Sequence, residues 1–167
     1  MRPRTITRLL SAGLAGCVIF LPVTVKAQTA TIGSEARVLE QIRFALLLQM
    51  DFGKIAPNPN GGQVVLDASS DSRDCSNALA CVGDYSISEL RISGTDANVT
   101  VNYDTAVQLT GPGTSMTVTP QLPGGTGQTF TLSGGEIVLK FGATLFTNAN
   151  QVAGSYSGPF TVNVTYE

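Results

Sequence analysis

The chain has 167 residues, enough for one domain, and 43% of them are hydrophobic while only 13% carry charge. Its 18 Gly, the lack of any His or Trp, and a later half rich in Thr, Val, Ser and Gly favour strands and turns over helices. The formal net charge of −2 becomes −6 once the leader described next is removed, which argues against a nucleic-acid partner.

Residues 1–27 read as a secretory signal peptide. Arg2, Arg4 and Arg8 supply the positive region, Leu9 to Val23 the apolar one, and Val25, Lys26 and Ala27 a small-residue cleavage site before Gln28. Cleavage there takes four basic and no acidic residues, leaving 6 basic against 12 acidic side chains. A competing reading is the run Leu14, Ala15, Gly16, Cys17, which has the form of a bacterial lipobox acylated on the cysteine; the apolar run continuing from Val18 to Leu21 speaks against it. The same run is short of the ~20 residues that span a bilayer, so no stable transmembrane segment is expected after cleavage. Export leaves Cys75 and Cys81 as an even pair in an oxidising compartment, and a disulfide follows.

From Gln28 the sequence QTATIGSEARV alternates: Ala30, Ile32, Ser34, Ala36 and Val38 share one side, while Thr29, Thr31, Gly33, Glu35 and Arg37 share the other. Residues 28–40 are thus either an extension that lies as a strand in a groove or a frayed tail. The domain proper is expected over 41–167. Ile42, Phe44, Leu46, Leu48, Met50 and Phe52 recur with period two, which indicates a strand, although the Leu, Glu, Gln, Arg and Ala content keeps a helix open over residues 38–48. The stretch APNPNGG at 56–62 is a turn, and residues 63–67 form a short strand leaving it.

Residues 67–81 (DASSDSRDCSNALAC) read as a polar, solvated loop carrying the disulfide. The spacing of Asp67, Asp71 and Asp74 does not fit a calcium loop, and two cysteines with five residues between them and no histidine make a poor zinc site, so no metal is expected. Strand-like segments then follow at 85–92, 99–103, 106–109, 116–122, 129–132, 137–146 and 160–166, most of them separated by Gly- and Pro-rich turns. In the last, Phe160, Val162, Val164 and Tyr166 alternate with Thr161, Asn163, Thr165 and Glu167; burying the four apolar groups contributes at most about 6–12 kcal/mol. Many short strands with regular turns and no amphipathic helix indicate an all-β antiparallel sandwich or barrel.

Chemistry is sparse. Without histidine a Ser or Cys nucleophile lacks its commonest base, both mature cysteines are expected to be oxidised, and the Gly-rich runs do not open helices that could hold a phosphate. No catalytic, cofactor or metal residue is assigned, and the chain is not expected to be an enzyme.

The segment LLLQMDFGKI at 46–55, the segment GGEIVLKFGATLFT at 134–147 and the closing GSYSGPFTVNVTYE at 154–167 together resemble the bacterial exported family of domain of unknown function 4402. That family is in turn similar to the major pilin subunits of chaperone–usher fimbriae, and the resemblance covers residues 42–167. It implies an immunoglobulin-like, pilin-like antiparallel β-sandwich lacking one strand. The gap would be filled by a chaperone strand and then by the N-terminal extension of the next subunit. On that resemblance Ala30, Ile32, Ala36 and Val38 are plugs of a donor strand, with Ser34 or Gly33 where a small residue is needed. Phe160, Val162, Val164 and Tyr166 border the acceptor groove. The implied partners are other copies of the chain or related subunits, a periplasmic chaperone and an outer-membrane usher; the implied place is the periplasm in transit and then the cell surface. The small plugs, the charges of Glu35, Arg37 and Glu40, and a disulfide loop shorter than that of many such pilins are departures from the pattern. The alternative is a self-contained secreted or surface-attached sandwich acting as an adhesion or glycan-binding module, for which the lack of Trp is unfavourable. A secreted hydrolase would need two converging carboxylates.

Overall fold

A computed structural model describes residues 26–56, 58–75 and 80–167. Residues 37–167 form one compact unit; residues 26–36 belong to a separate one and carry no assigned secondary structure. Of the signal-peptide reading over 1–27, residues 1–25, Cys17 among them, lie outside the described residues.

The compact unit is all-β. Its strands are β1 (Arg43–Leu48), β2 (Lys54–Ile55), β3 (Gly62–Asp67), β4 (Ser72–Asp74), β5 (Cys81–Val82) and β6 (Ser88–Ser93), followed by β7 (Asn98–Tyr103), β8 (Val107–Leu109), β9 (Met116–Gln121), β10 (Gln128–Thr131), β11 (Glu136–Thr147) and β12 (Val162–Tyr166). Residues 43–48, where a helix was the alternative, are strand, so the period-two pattern outweighs the local helix propensity. Every strand pair is antiparallel. The sheets curl into a half-barrel.

The spine is β11, at 12 residues the longest strand. Residues 136–141 of its first half pair with β6, which in turn pairs with β1. Its second half is shared: residues 143–147 pair with β3 and 142–146 with β9. The burial pattern changes accordingly. Exposed and covered side chains alternate over Glu136–Phe141, whereas Phe141 through Leu145 are buried without a break. Gly142 stands where the partners change, and a Cβ there would collide with the Leu66 carbonyl oxygen, so close approach of β3 requires glycine.

Two apolar clusters result. One gathers Ile92, Val99, Val101, Leu122, Leu132, Leu139 and Phe141 under β6, β7, β11 and β12. Phe141 meets Tyr103 edge-on at 5.4 Å and Phe160 at 5.6 Å, both within the range of favourable aromatic pairs. The other gathers Val64, Met116, Val118, Ala143 and Leu145.

Residues 67–75 are more ordered than a solvated loop. Asp67 accepts the Ser69 amide at 2.8 Å and turns the chain into β4, which pairs back on β3. Arg73 then donates to the carbonyls of Phe52 at 3.0 Å and Gly83 at 3.2 Å and lies 4.7 Å from the Tyr85 ring centre. Cys75 and Cys81 are joined in a disulfide, as the pairing argument expected, beside the two-residue ladder of β2 and β5.

Candidate functional site

Strand β12 is the end of a three-stranded sheet ordered β10, β7, β12. Its alternation holds in three dimensions: Phe160, Val162, Val164 and Tyr166 are half-buried against the first cluster, and Thr161, Asn163, Thr165 and Glu167 are exposed. The Asp104 amide donates to Thr161 at 3.1 Å and the Glu167 amide to Asn98 at 3.2 Å. Because an antiparallel ladder alternates, residues 161, 163, 165 and 167 are then the ones whose backbone groups face β7. The N–H and C=O of Val162 and Val164 point the other way, to an edge with no strand among the described residues.

Strand β1 is the end of the seven-stranded sheet and, among the described residues, pairs only with β6. The Gly94 amide bonds the Gly135 carbonyl, which fixes the alternation along β6: Leu90 and Ile92 face β11, so Arg91 and Ser93 face β1. In β1, Ala45 and Arg43 therefore complete that ladder, and Phe44 and Leu46 direct their backbone groups to the open side. A bulge between Leu46 and Leu48 ends the regular register. Phe44 is 51% and Leu46 61% exposed, large values for apolar side chains opposite Ile92 and Leu90.

The two open edges face each other across a groove. Phe44 and Leu46 line one side and Phe160 and Val162 the other of a pocket of about 270 Å³, with Ser88, Leu90 and Phe141 at its base. Beyond Leu46 and Phe160 the groove widens into a crevice of about 1080 Å³ that reaches Leu48, Met50, Val107, Met116, Leu145 and Tyr156. At its opposite end β12 is tied to the approach of β1: the Tyr166 hydroxyl donates to the Glu40 carbonyl at 2.9 Å and accepts the Thr95 amide at 2.8 Å. A Cβ on Gly94 would strike that hydroxyl. Tyr166 thus lies at the start of β1 and Phe160 at its end, so β1 and β12 run in opposite directions.

Far from the groove face, the Glu167 carboxylate accepts the hydroxyls of Thr100 at 2.6 Å and Thr129 at 2.7 Å, and these bonds, Thr100's first, hold it below the usual carboxylate range. Ser69 holds Asp67 down to about 2. Among the described residues no group of three or more His, Cys, Asp or Glu is placed to bind a metal, and no helix is long and apolar enough to cross a membrane.

Of the residues singled out from sequence, Phe160 and Val162 line the groove, while Val164 and Tyr166 share their face of β12 and pack against the first cluster. Ala30, Ile32, Ser34, Ala36 and Val38 are exposed and carry no assigned strand. The facing wall, Phe44, Leu46 and Leu48, shows in the sequence only as an apolar strand face. Its even-numbered periodicity was the available signal, and what periodicity does not encode is which edge of the strand is left unpaired.

The molecule is thus an all-β domain whose two sheet edges flank an open, apolar groove. The family model of domain of unknown function 4402 (DUF4402) matches residues 42–166, and the chain belongs to that family. No curated protein and no solved structure gives a significant match.

Proposed function

We propose that the chain is a structural subunit of a surface fibre, built by donation of a β-strand from one subunit to the next. On this reading the half-barrel is an immunoglobulin-like, pilin-like sandwich short of one strand, and the groove between β1 and β12 is where that strand goes. The observation that carries it is the pair of facing edges: Phe44 and Leu46 on β1 and Val162 and Val164 on β12 turn their backbone groups outward, and the side chains of Phe44, Leu46, Phe160 and Val162 line the gap between the edges. An inserted strand would satisfy both edges and cover side chains that now meet water.

The donor strand comes from the N-terminal extension, residues 28–40, of another copy or of a related subunit. Donation from a terminus to a groove elsewhere on the molecule is head-to-tail and does not close, so it yields a fibre. The reading carries with it export by cleavage after Ala27, passage through the periplasm with a chaperone and an outer-membrane usher, and no catalytic chemistry.

Val164→Pro tests it. The substitution removes an N–H that faces the groove and leaves the β7 ladder intact, a placement proline tolerates on an edge strand. Size-exclusion chromatography and electron microscopy of the exported protein are expected to show fibres for the parent and folded monomers for the variant. A parent that stays monomeric at all concentrations, or a variant that assembles as well as the parent, would sink the reading.

A further inference from the structure

We infer that Ile32 of one copy is the anchor that enters the 270 Å³ pocket of the next, and that Val38 is not an inserted residue; this rests on the strand-donation reading above. The pocket lies between Phe44 and Leu46 on one side and Phe160 and Val162 on the other, floored by Leu90 and Phe141. The pocket is an open hollow of about 270 Å³ with apolar walls, and an alanine or serine there would fill little of it. Between residues 28 and 37 the only large apolar side chain is Ile32, and it is 88% exposed.

Val38 is the other large residue with the same parity, and chain length excludes it. Glu40 is held in its own domain on both sides, its amide to the Thr95 hydroxyl at 2.6 Å and its carbonyl to the Tyr166 hydroxyl at 2.9 Å. Val38 is two residues from that anchor, about 7 Å of extended chain, whereas Ile32 is eight residues away, about 26 Å. Only the second distance carries a side chain clear of its own domain and into the middle of a neighbour's groove. Ala30 and Ser34, two positions either side of Ile32, are small, which leaves Ile32 as the one large side chain the segment can insert. The inserted segment is therefore centred on Ile32, and residues 37–39 serve as the connection between subunits.

Paired cysteines in the full exported chain test this, since a disulfide forms only when Cα atoms come within about 7 Å. Ile32→Cys with Val162→Cys is expected to give a ladder of covalent multimers under mild oxidation, abolished by reductant. Val38→Cys with Val162→Cys is expected to give none. A ladder from the Val38 pair and not the Ile32 pair overturns the register while leaving strand donation standing. A 32–162 bond formed within single chains overturns the second copy as occupant. If neither pair gives multimers, the register fails; strand donation fails with it only if the parent chain also forms no fibres.

Discussion

The hydroxyl of Tyr166 donates to the carbonyl of Glu40 at 2.9 Å across 126 residues of sequence, joining the end of the last strand to the approach of the first. Since the same oxygen accepts the Thr95 amide, Tyr166→Phe removes two hydrogen bonds from a half-buried position. The variant should lose about 1–2 kcal/mol, read as a lower urea midpoint with an unchanged slope. An unaltered midpoint would show the link to be dispensable. Gly94→Ala, which pushes a methyl group into the hydroxyl, should cost at least as much.

Gly142 is expected to be among the least replaceable residues of the core. Its neighbour is the backbone oxygen of Leu66, which cannot rotate away, so Gly142→Ala should destabilise by roughly 1–3 kcal/mol through overpacking between β11 and β3. Thermal unfolding measures it; a variant as stable as the parent would mean that β3 can shift without loss.

The Cys75–Cys81 bridge closes a short loop, and on the chain-entropy model its removal costs only about 2 kcal/mol. Cys75→Ser with Cys81→Ser should therefore fold, with a lowered midpoint, because Arg73 still holds the carbonyls of Phe52 and Gly83. Failure to fold at all would assign the bridge a larger role than its loop length gives.

Acid should destabilise the domain in part through Asp67. Its folded value is depressed from 3.8 to about 2 by the Ser69 hydroxyl and amide, so its contribution is present above about pH 4 and is lost as pH falls through about 2. Glu167, also depressed, acts in the same direction. Asp67→Asn should flatten the decline in unfolding midpoint between those limits, a change visible in a pH series of thermal melts; an unchanged slope would exclude Asp67 as a contributor.

Side-chain alternation carried most of the fold: it marked Phe160 to Tyr166 as half-buried strand and separated strand from helix over Arg43–Leu48. It could not reveal β4 or the β2–β5 ladder, because these strands are only two or three residues long, too short for alternation to show, and are held by Arg73 and the disulfide. Nor could it reveal the groove. Phe44 and Val162 are apolar for the same reason as Val99 or Leu139, and only the pairing order leaves the first two beside an open edge while the others are sealed. The link from Tyr166 to Glu40 joins residues with no local pattern in common.

Amide hydrogen exchange along β12 tests the central claim most directly. In unassembled protein the Asn163 and Thr165 amides, bonded to β7, should exchange slowly and those of Val162 and Val164 fast; in the assembled fibre all four should be slow. Val162 and Val164 amides already protected in the monomer, or still fast in the fibre, would contradict a groove that receives its strand from a second subunit.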